Sequence, residues 1–237
     1  WQVASLRLVS AGLVLVPFVP RYLKKIAAAD LRYIALSGLL GSLIPAFLFT
    51  LAETKIDGAF AGTLNSLTPI FVIIVAAFFF SKQITSQALK GILIAFIGSA
   101  LVFYFNWSDH GRNSLGNVSF AWFCVLATFF YGLNVNMVDK VMANTHPLAV
   151  AVIAFASLVI PAFIALFLSG YFSLPLSESK YIIATLASVT LGIIGTTVAS
   201  LLFYKLMQQA GYLFSSMVTY GIPFIAQFWG WVNGEKS

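Results

Sequence analysis

Long apolar runs separated by short polar turns set the pattern of this chain. Eight runs, at about 1–19, 31–52, 58–80, 87–106, 118–138, 147–169, 181–206 and 211–233, come near the roughly 20 apolar residues that a helix needs to cross a hydrocarbon core about 30 Å thick. Each therefore predicts a membrane-spanning α-helix. Most have no Asp, Glu, Lys or Arg in the interior. A barrel of strands is excluded, because the runs are too long and do not alternate apolar with polar positions. Phe78, Phe79 and Phe80 close one run, and Trp229 and Trp231 lie near the end of another, where aromatic rings favour the headgroup level.

The pattern also repeats. Residues 41–83 and 195–237 align without a gap at a constant offset of 154. Gly41/Gly195, Leu48/Leu202, Phe49/Phe203, Phe60/Phe214, Pro69/Pro223 and Lys82/Lys236 match outright, and Ser42/Thr196 and Ile44/Val198 match in kind. Each copy is two apolar runs split by a short polar turn. An internal repeat made of hydrophobic spans is the sequence mark of a secondary transporter, in which substrate binds between the halves.

Charge gives the repeat a direction. Placing the loop after the first span in the cytoplasm puts Arg21, Lys24, Lys25, Arg32, Lys82, Lys90, Lys140 and Lys205 inside, against Lys55, Arg112, Lys180 and Lys236 outside. The inner excess of basic residues favours this orientation. Spans 58–80 and 211–233 are then five crossings apart, so the two copies run in opposite directions through the membrane, as an inverted repeat. The same offset maps span 118–138 before residue 1, and span 87–106 to about 241–260. The expected fold class is an all-α integral membrane protein, a polytopic helical bundle of two inverted-topology repeats with eight spans present of an expected ten. The first repeat covers 1–106 and lacks its first helix; the second covers 118–237 and lacks its last. The start, at Trp1 and already inside an apolar run, reads as truncated.

Composition agrees with lipid as the main solvent. The 237 residues are 60% hydrophobic and 8% charged, whereas soluble domains carry about 25% charged residues. The single cysteine, Cys124, excludes a disulfide framework and a thiolate metal site and reads as a small buried hydrophobe. The net charge of +6 does not imply nucleic acid, because the basic residues are spread over turns and form no patch.

The residues within this architecture carry a resemblance. Ala-Gly-Thr-Leu-Asn-Ser-Leu-Thr-Pro-Ile-Phe (61–71) and Ser-Ser-Met-Val-Thr-Tyr-Gly-Ile-Pro-Phe (215–224) are each a small and polar run leading into a Pro. They resemble the fourth helix of each repeat in the drug/metabolite transporter superfamily, in its EamA-type ten-helix branch. Gly234-Glu235 resembles the pair that closes that helix; the first copy departs, with Phe80-Ser81. Gly91 and Gly98 suit the helix that follows. The resemblance implies export or uptake of small metabolites, such as amino acids or related compounds, by alternating access through a central cavity. Relatives carry nucleotide sugars, vitamins or drugs.

A Pro inside a span leaves a backbone carbonyl without its helical partner. Pro69 and Pro223 occupy equivalent mid-span positions, so each is expected to kink its helix and turn polar backbone toward a cavity, or else to kink it only for packing. Polar side chains cluster just before them: Thr63, Asn65, Ser66 and Thr68 in one copy, and Ser215, Ser216, Thr219 and Tyr220 in the other. Inside lipid such groups either bond to a helix or face substrate. Gln227 lies four residues beyond Pro223, on the same helix face. Tyr131 and Asn134 lie three apart and so share a face, whereas Asn136 points elsewhere and nears the cytoplasmic end. The substrate-binding candidates are therefore Asn65, Thr68, Tyr131, Asn134, Thr219, Tyr220 and Gln227, with Pro69 and Pro223 as helix kinks. Gly58 and Gly62, Gly230 and Gly234, and the equivalent pairs Gly38, Gly41 and Gly192, Gly195 read as close-packing surfaces. Arg7 is the one basic residue deep in a run; it either snorkels to the interface or attracts an anionic group.

An enzyme is not expected. His110 and His146 fall in loops on opposite sides, with no companion at ligand spacing, and no His-Glu-x-x-His or Gly-x-Ser-x-Gly motif occurs. The sequence thus reads as a permease or efflux carrier of a small molecule in the bilayer, with no cofactor, metal or nucleic-acid partner expected, and a homodimer as one assembly it allows. The bacterial inner membrane is the expected location. A channel-like protein or a receptor without coupled transport is the alternative reading.

Overall fold

The structure is a computed structural model describing residues 1–110, 118–142, 145–225 and Phe228. Among these residues there is helix and turn and no strand. The helices are α1 (Gln2–Leu23), α2 (Ala28–Ala52), α3 (Gly58–Asn65), α4 (Thr68–Phe80), α5 (Ser86–His110), α6 (Ala121–Met142), α7 (Pro147–Leu168), α8 (Ser179–Ala210) and α9 (Tyr212–Ser216). Among the described residues six helices are long and apolar enough to cross a membrane: Gln2–Leu23, Ala28–Ala52, Phe60–Phe80, Ala121–Lys140, Pro147–Leu168 and Ser179–Ala210. Shorter apolar helices, Ser86–Gly98 and Tyr212–Ile225, fall in the two remaining predicted runs. The protein is an all-α, multi-pass integral membrane protein. Trp229, Trp231, Gly230 and Gly234 with Glu235 lie outside the described residues.

The chain folds into two compact units, Trp1–Phe47 with Met137–Gly211, and Leu48–Asn136 with Tyr212–Ser237. Each unit takes helices from both halves of the sequence, so compact unit and sequence repeat divide the chain differently.

In the first unit α7 is the hub, with Ala149, Val150, Ala151, Val152, Ile153, Ala154 and Phe155 all buried. Helix α1 lays a stripe of Ala4, Leu8, Ala11 and Leu15 into the core, a spacing of three and four that keeps one helix face inward. The backbones come very close. A Cβ at Gly12 would sit 2.6 Å from the Phe155 carbonyl oxygen, and one at Gly38 2.8 Å from that of Ala154. Such contacts take the place of hydrophobic drive between helices in lipid, where only packing and hydrogen bonds hold helices together. Gly38 and Gly192 serve close packing as the sequence suggests. Gly58 does not, since a Cβ there would meet nothing within 4 Å. On the outside of α8, Ile182, Ile183, Leu186, Leu191, Ile194, Val198 and Leu202 form an exposed apolar stripe suited to hydrocarbon.

Two π-helical turns interrupt these helices, Leu39–Leu43 in α2 and Leu191–Val198 in α8. They fall at the repeat offset. In the second, the Thr197 hydroxyl donates to Gly192 O and to Ala11 O, both at 3.2 Å, tying the widened turn to α1. The Ser37 and Tyr204 hydroxyls meet at 3.1 Å, bonding α2 to α8.

In the second unit Ala52, Ile56, Ala61 and Cys124 form a core cluster, covered by Phe49, Phe60, Leu64, Phe120 and Phe123. Cys124 is fully buried, and its role is packing.

Candidate functional site

At the predicted kinks regular α-helix gives way to a short tighter turn inside a helix that carries on, Phe60–Phe80 in one copy and Tyr212–Ile225 in the other. Helix α3 ends at Asn65, and Ser66 N and Leu67 N bond three residues back, to Thr63 O and Leu64 O, each at 3.0 Å. Helix α4 restarts at Thr68, with Pro69 in its first turn, where its missing N–H costs no helical bond. In an unbroken helix that N–H would reach the Asn65 carbonyl. In the second copy α9 stops at Ser216 and gives way to a 3₁₀ turn over Met217–Gly221, and Pro223 follows, buried. Thr219 holds the position of Asn65, so in each copy the Pro withdraws the donor from the carbonyl four residues before it.

Around the first turn the Thr68 hydroxyl donates to Asn65 Oδ1 at 3.3 Å. Thr68 is 3% exposed, while Asn65 is half-buried. Around the second, the Thr219 hydroxyl turns back onto its own helix, donating to Ser216 O at 2.8 Å. The hydroxyls of Ser66 and Ser216 do the same, onto Thr63 O and Leu213 O. Tyr220 is buried and donates to Ile92 O at 3.0 Å, bonding the 3₁₀ turn to α5. On α6, the half-buried Tyr131 stacks on Phe49 with ring centroids 6.3 Å apart, and Asn134 is 6% exposed. Gln227 lies outside the described residues.

Face-counting set aside a buried polar residue of this unit that bonds beyond its own helix. Asn136 is fully buried; its amide donates to Val72 O at 2.8 Å and to Gly132 O at 3.0 Å. Its Oδ1 accepts from Lys82 Nζ at 3.4 Å, and that ammonium sits 3.7 Å from the Tyr212 ring centroid. One turn back, Gly132 lets α6 approach the Phe71 backbone, where a Cβ would come within 2.9 Å. Gly132 and Asn136 are four residues apart on one face, which is the signal that could have identified the pair. Asn136, Lys82 and Tyr212 are all residues that the charge count assigns to the cytoplasmic ends of their spans, and they lie together.

A cavity of about 160 Å³ opens in the first unit, lined among others by Asp139, Thr145, Pro147, Tyr204, Met207 and Gln208. None of the predicted site residues lines it. His146 caps α7, with Nδ1 accepting from Leu148 N at 3.3 Å. Among the described residues no group of three His, Cys, Asp or Glu side chains could hold a metal ion.

Comparison with known proteins bears on what these turns serve. Residues 1–104 match the model of the EamA-like transporter family. This stretch is similar to the EamA-like transporter family. A curated protein of Archaeoglobus fulgidus, described as an uncharacterized transporter, is 34% identical over 79 residues, which are 33% of this chain and 29% of that relative. The match therefore spans less than a third of the relative's length. A solved crystal structure shares the fold, with a TM-score of 0.68 at 17% identity over 98% of this chain and 78% of the other. The EamA-like stretch contains Asn65, Thr68, Pro69 and Lys82; Tyr131, Asn134, Thr219 and Tyr220 lie beyond it.

Proposed function

We propose that this protein is a secondary transporter that moves a small metabolite, such as an amino acid or a related compound, by alternating access between two inverted repeats of 1–106 and 118–237. The observation that carries this reading is the pair of irregular helical turns at the repeat offset, Asn65–Pro69 and Thr219–Pro223, each leading into a Pro. Membrane backbone without helical partners is tolerated where it is buried in protein or lines a water-filled cavity, and discontinuous helices are the usual source of midplane binding groups in carriers. The match of 1–104 to the EamA-like transporter family supports a transporter rather than an enzyme.

In this reading the carbonyl of Asn65 and the side chains of Asn65, Thr68, Tyr131, Asn134, Thr219 and Tyr220 supply polar contacts to substrate, with Gln227 as a further contact. Both polar groups of Thr219 have local partners, the hydroxyl donating to Ser216 O and the carbonyl accepting from Ile222 N. The bacterial inner membrane is the proposed location, and a homodimer is compatible with this scheme. The test is saturable flux of labelled amino acids and other small metabolites in vesicles, with and without a pH gradient. Flux that rises without saturation would indicate a channel instead, and folded protein in the membrane with no flux for any solute would remove the transporter reading.

A further inference from the structure

The cavity of about 160 Å³ in the first unit is lined by none of the residues proposed to contact substrate. Three helix ends build it. Tyr204, Met207 and Gln208 share one face of α8 by their spacing, and Gly211 follows on that face where the helix stops. Gly211 has φ 84°, a conformation that favours glycine, and a Cβ there would meet nothing within 4 Å, so the wall stays open at this point. Pro147 and Val150 come from the first turn of α7, with Thr145 just before it, and Val138 and Asp139 from the last turns of α6. By the charge-based orientation these are cytoplasmic ends, since Lys140 and Lys205 count inside.

The lining is graded from apolar to polar. Val138, Pro147, Val150, Tyr204 and Met207 are buried and make an apolar floor. The bond between the Tyr204 and Ser37 hydroxyls holds that ring in place, and the His146 cap holds the start of α7. Asp139 and Thr145 are half-buried and Gln208 is exposed, which places acceptor oxygens at the rim. Among the described residues that line the cavity, Asp139 is the one charged at neutral pH. The neighbouring Lys140, His146 and Lys205 are exposed, and none of the three lines it.

These walls select a class of ligand. A short apolar body fits the floor, and a cavity of about 150 Å³ is enough to admit benzene. A head group at the rim keeps contact with water, so its desolvation cost is small. An ammonium offers three donors and a charge opposite to that of Asp139, whereas a carboxylate would meet that side chain as a like charge. We propose that the cavity is a binding site for a small primary ammonium compound, with Asp139 holding the ammonium and Val150, Met207 and Tyr204 receiving the apolar body. The site goes beyond the transport reading and does not rest on it. Binding is measured without flux, so either can fail alone.

The experiment uses the full chain in phosphatidylcholine nanodiscs, with saturation-transfer NMR of the added compound as the readout and empty nanodiscs as the blank. Isobutylammonium is titrated beside isobutanol and isobutyrate, which keep the carbon skeleton and change the charge. The expected result is saturable binding of isobutylammonium, weaker binding of isobutanol and none of isobutyrate. Asp139→Asn should weaken isobutylammonium binding by about tenfold or more, as loss of a charged hydrogen-bond partner does, and leave isobutanol unchanged. Gln208→Glu adds a second carboxylate at an exposed rim position and should tighten isobutylammonium; it carries the comparison if Asp139→Asn does not fold. Absence of saturable isobutylammonium binding, isobutyrate binding as tight as that of isobutylammonium, or equal affinities in wild type and the variants would overturn the proposal.

Discussion

Lys82 Nζ lies 3.7 Å from the centroid of the Tyr212 ring, and the same ammonium donates to Asn136 Oδ1 at 3.4 Å. One charged side chain thus ties the end of α4 to the start of α9 and to a fully buried amide on α6. Lys82 N also bonds to Ala76 O at 2.9 Å, across a left-handed Ser81 with φ 49°. This 6→1 closure fixes where the lysine leaves the helix. Replacing Tyr212 with Leu should lower stability by about 1 kcal/mol, as expected of a cation–π contact at a partly desolvated site. Tyr212→Phe should be near neutral, because it keeps the ring. Thermal unfolding in detergent separates the two, and equal loss in both variants would assign the effect to the hydroxyl instead.

Asn136→Leu should cost more. It leaves two carbonyls and the ammonium without the amide, and interhelical hydrogen bonds in membranes are worth about 1–2 kcal/mol each at most. A loss of roughly 2 kcal/mol is expected, taking the donor to Val72 O and the acceptor for Lys82 together. The same unfolding measurement checks it, and a neutral Asn136→Leu would mean that these bonds are not formed in the bilayer.

Glycine substitutions should split by geometry. A Cβ at Gly132 would come within 2.9 Å of backbone on α4, so Gly132→Ala must push α6 and α4 apart, at a cost of about 1–3 kcal/mol. At Gly91 a Cβ meets nothing within 4 Å, so Gly91→Ala should be neutral or stabilise the helix by up to about 1 kcal/mol. Reversal of that order would contradict the packing described for the second unit.

For the proposed site, Asn65→Ala and Tyr220→Phe should reduce transport several-fold without blocking membrane insertion. Tyr220→Phe removes the bond to Ile92 O, so its folded fraction must be measured beside its flux. Pro69→Ala restores an N–H that can reach the Asn65 carbonyl, so the tighter turn should relax to α-helix and flux fall while stability holds or rises. Wild-type flux in all three variants would remove these residues from the site.

The helical class was legible because lipid imposes one simple demand, a long apolar run for each crossing. Positions at the offset of 154 also share local conformations: π-helical turns at Leu39–Leu43 and Leu191–Val198, and tighter turns before Pro69 and Pro223. Side-chain partners were less legible. The sequence marks Tyr220 as polar within a span, but only the position of α5 shows its hydroxyl spent on Ile92 O. Counting faces along α6 separates Asn136 from Tyr131 and Asn134, but cannot show that its face meets Val72 and Lys82. Glycines divide likewise. Gly12 and Gly132 were not singled out and sit at close crossings, whereas Gly58 was singled out and does not.

The most direct measurement is counterflow: vesicles carrying the protein are loaded with unlabelled solute, and entry of the same labelled solute is followed. A carrier whose binding site faces one side at a time exchanges the two, so labelled solute should accumulate transiently above its external concentration, and Asn65→Ala should abolish the overshoot. Saturable entry without an overshoot, or entry unaffected by solute on the far side, would contradict an alternating site formed at the paired turns before Pro69 and Pro223.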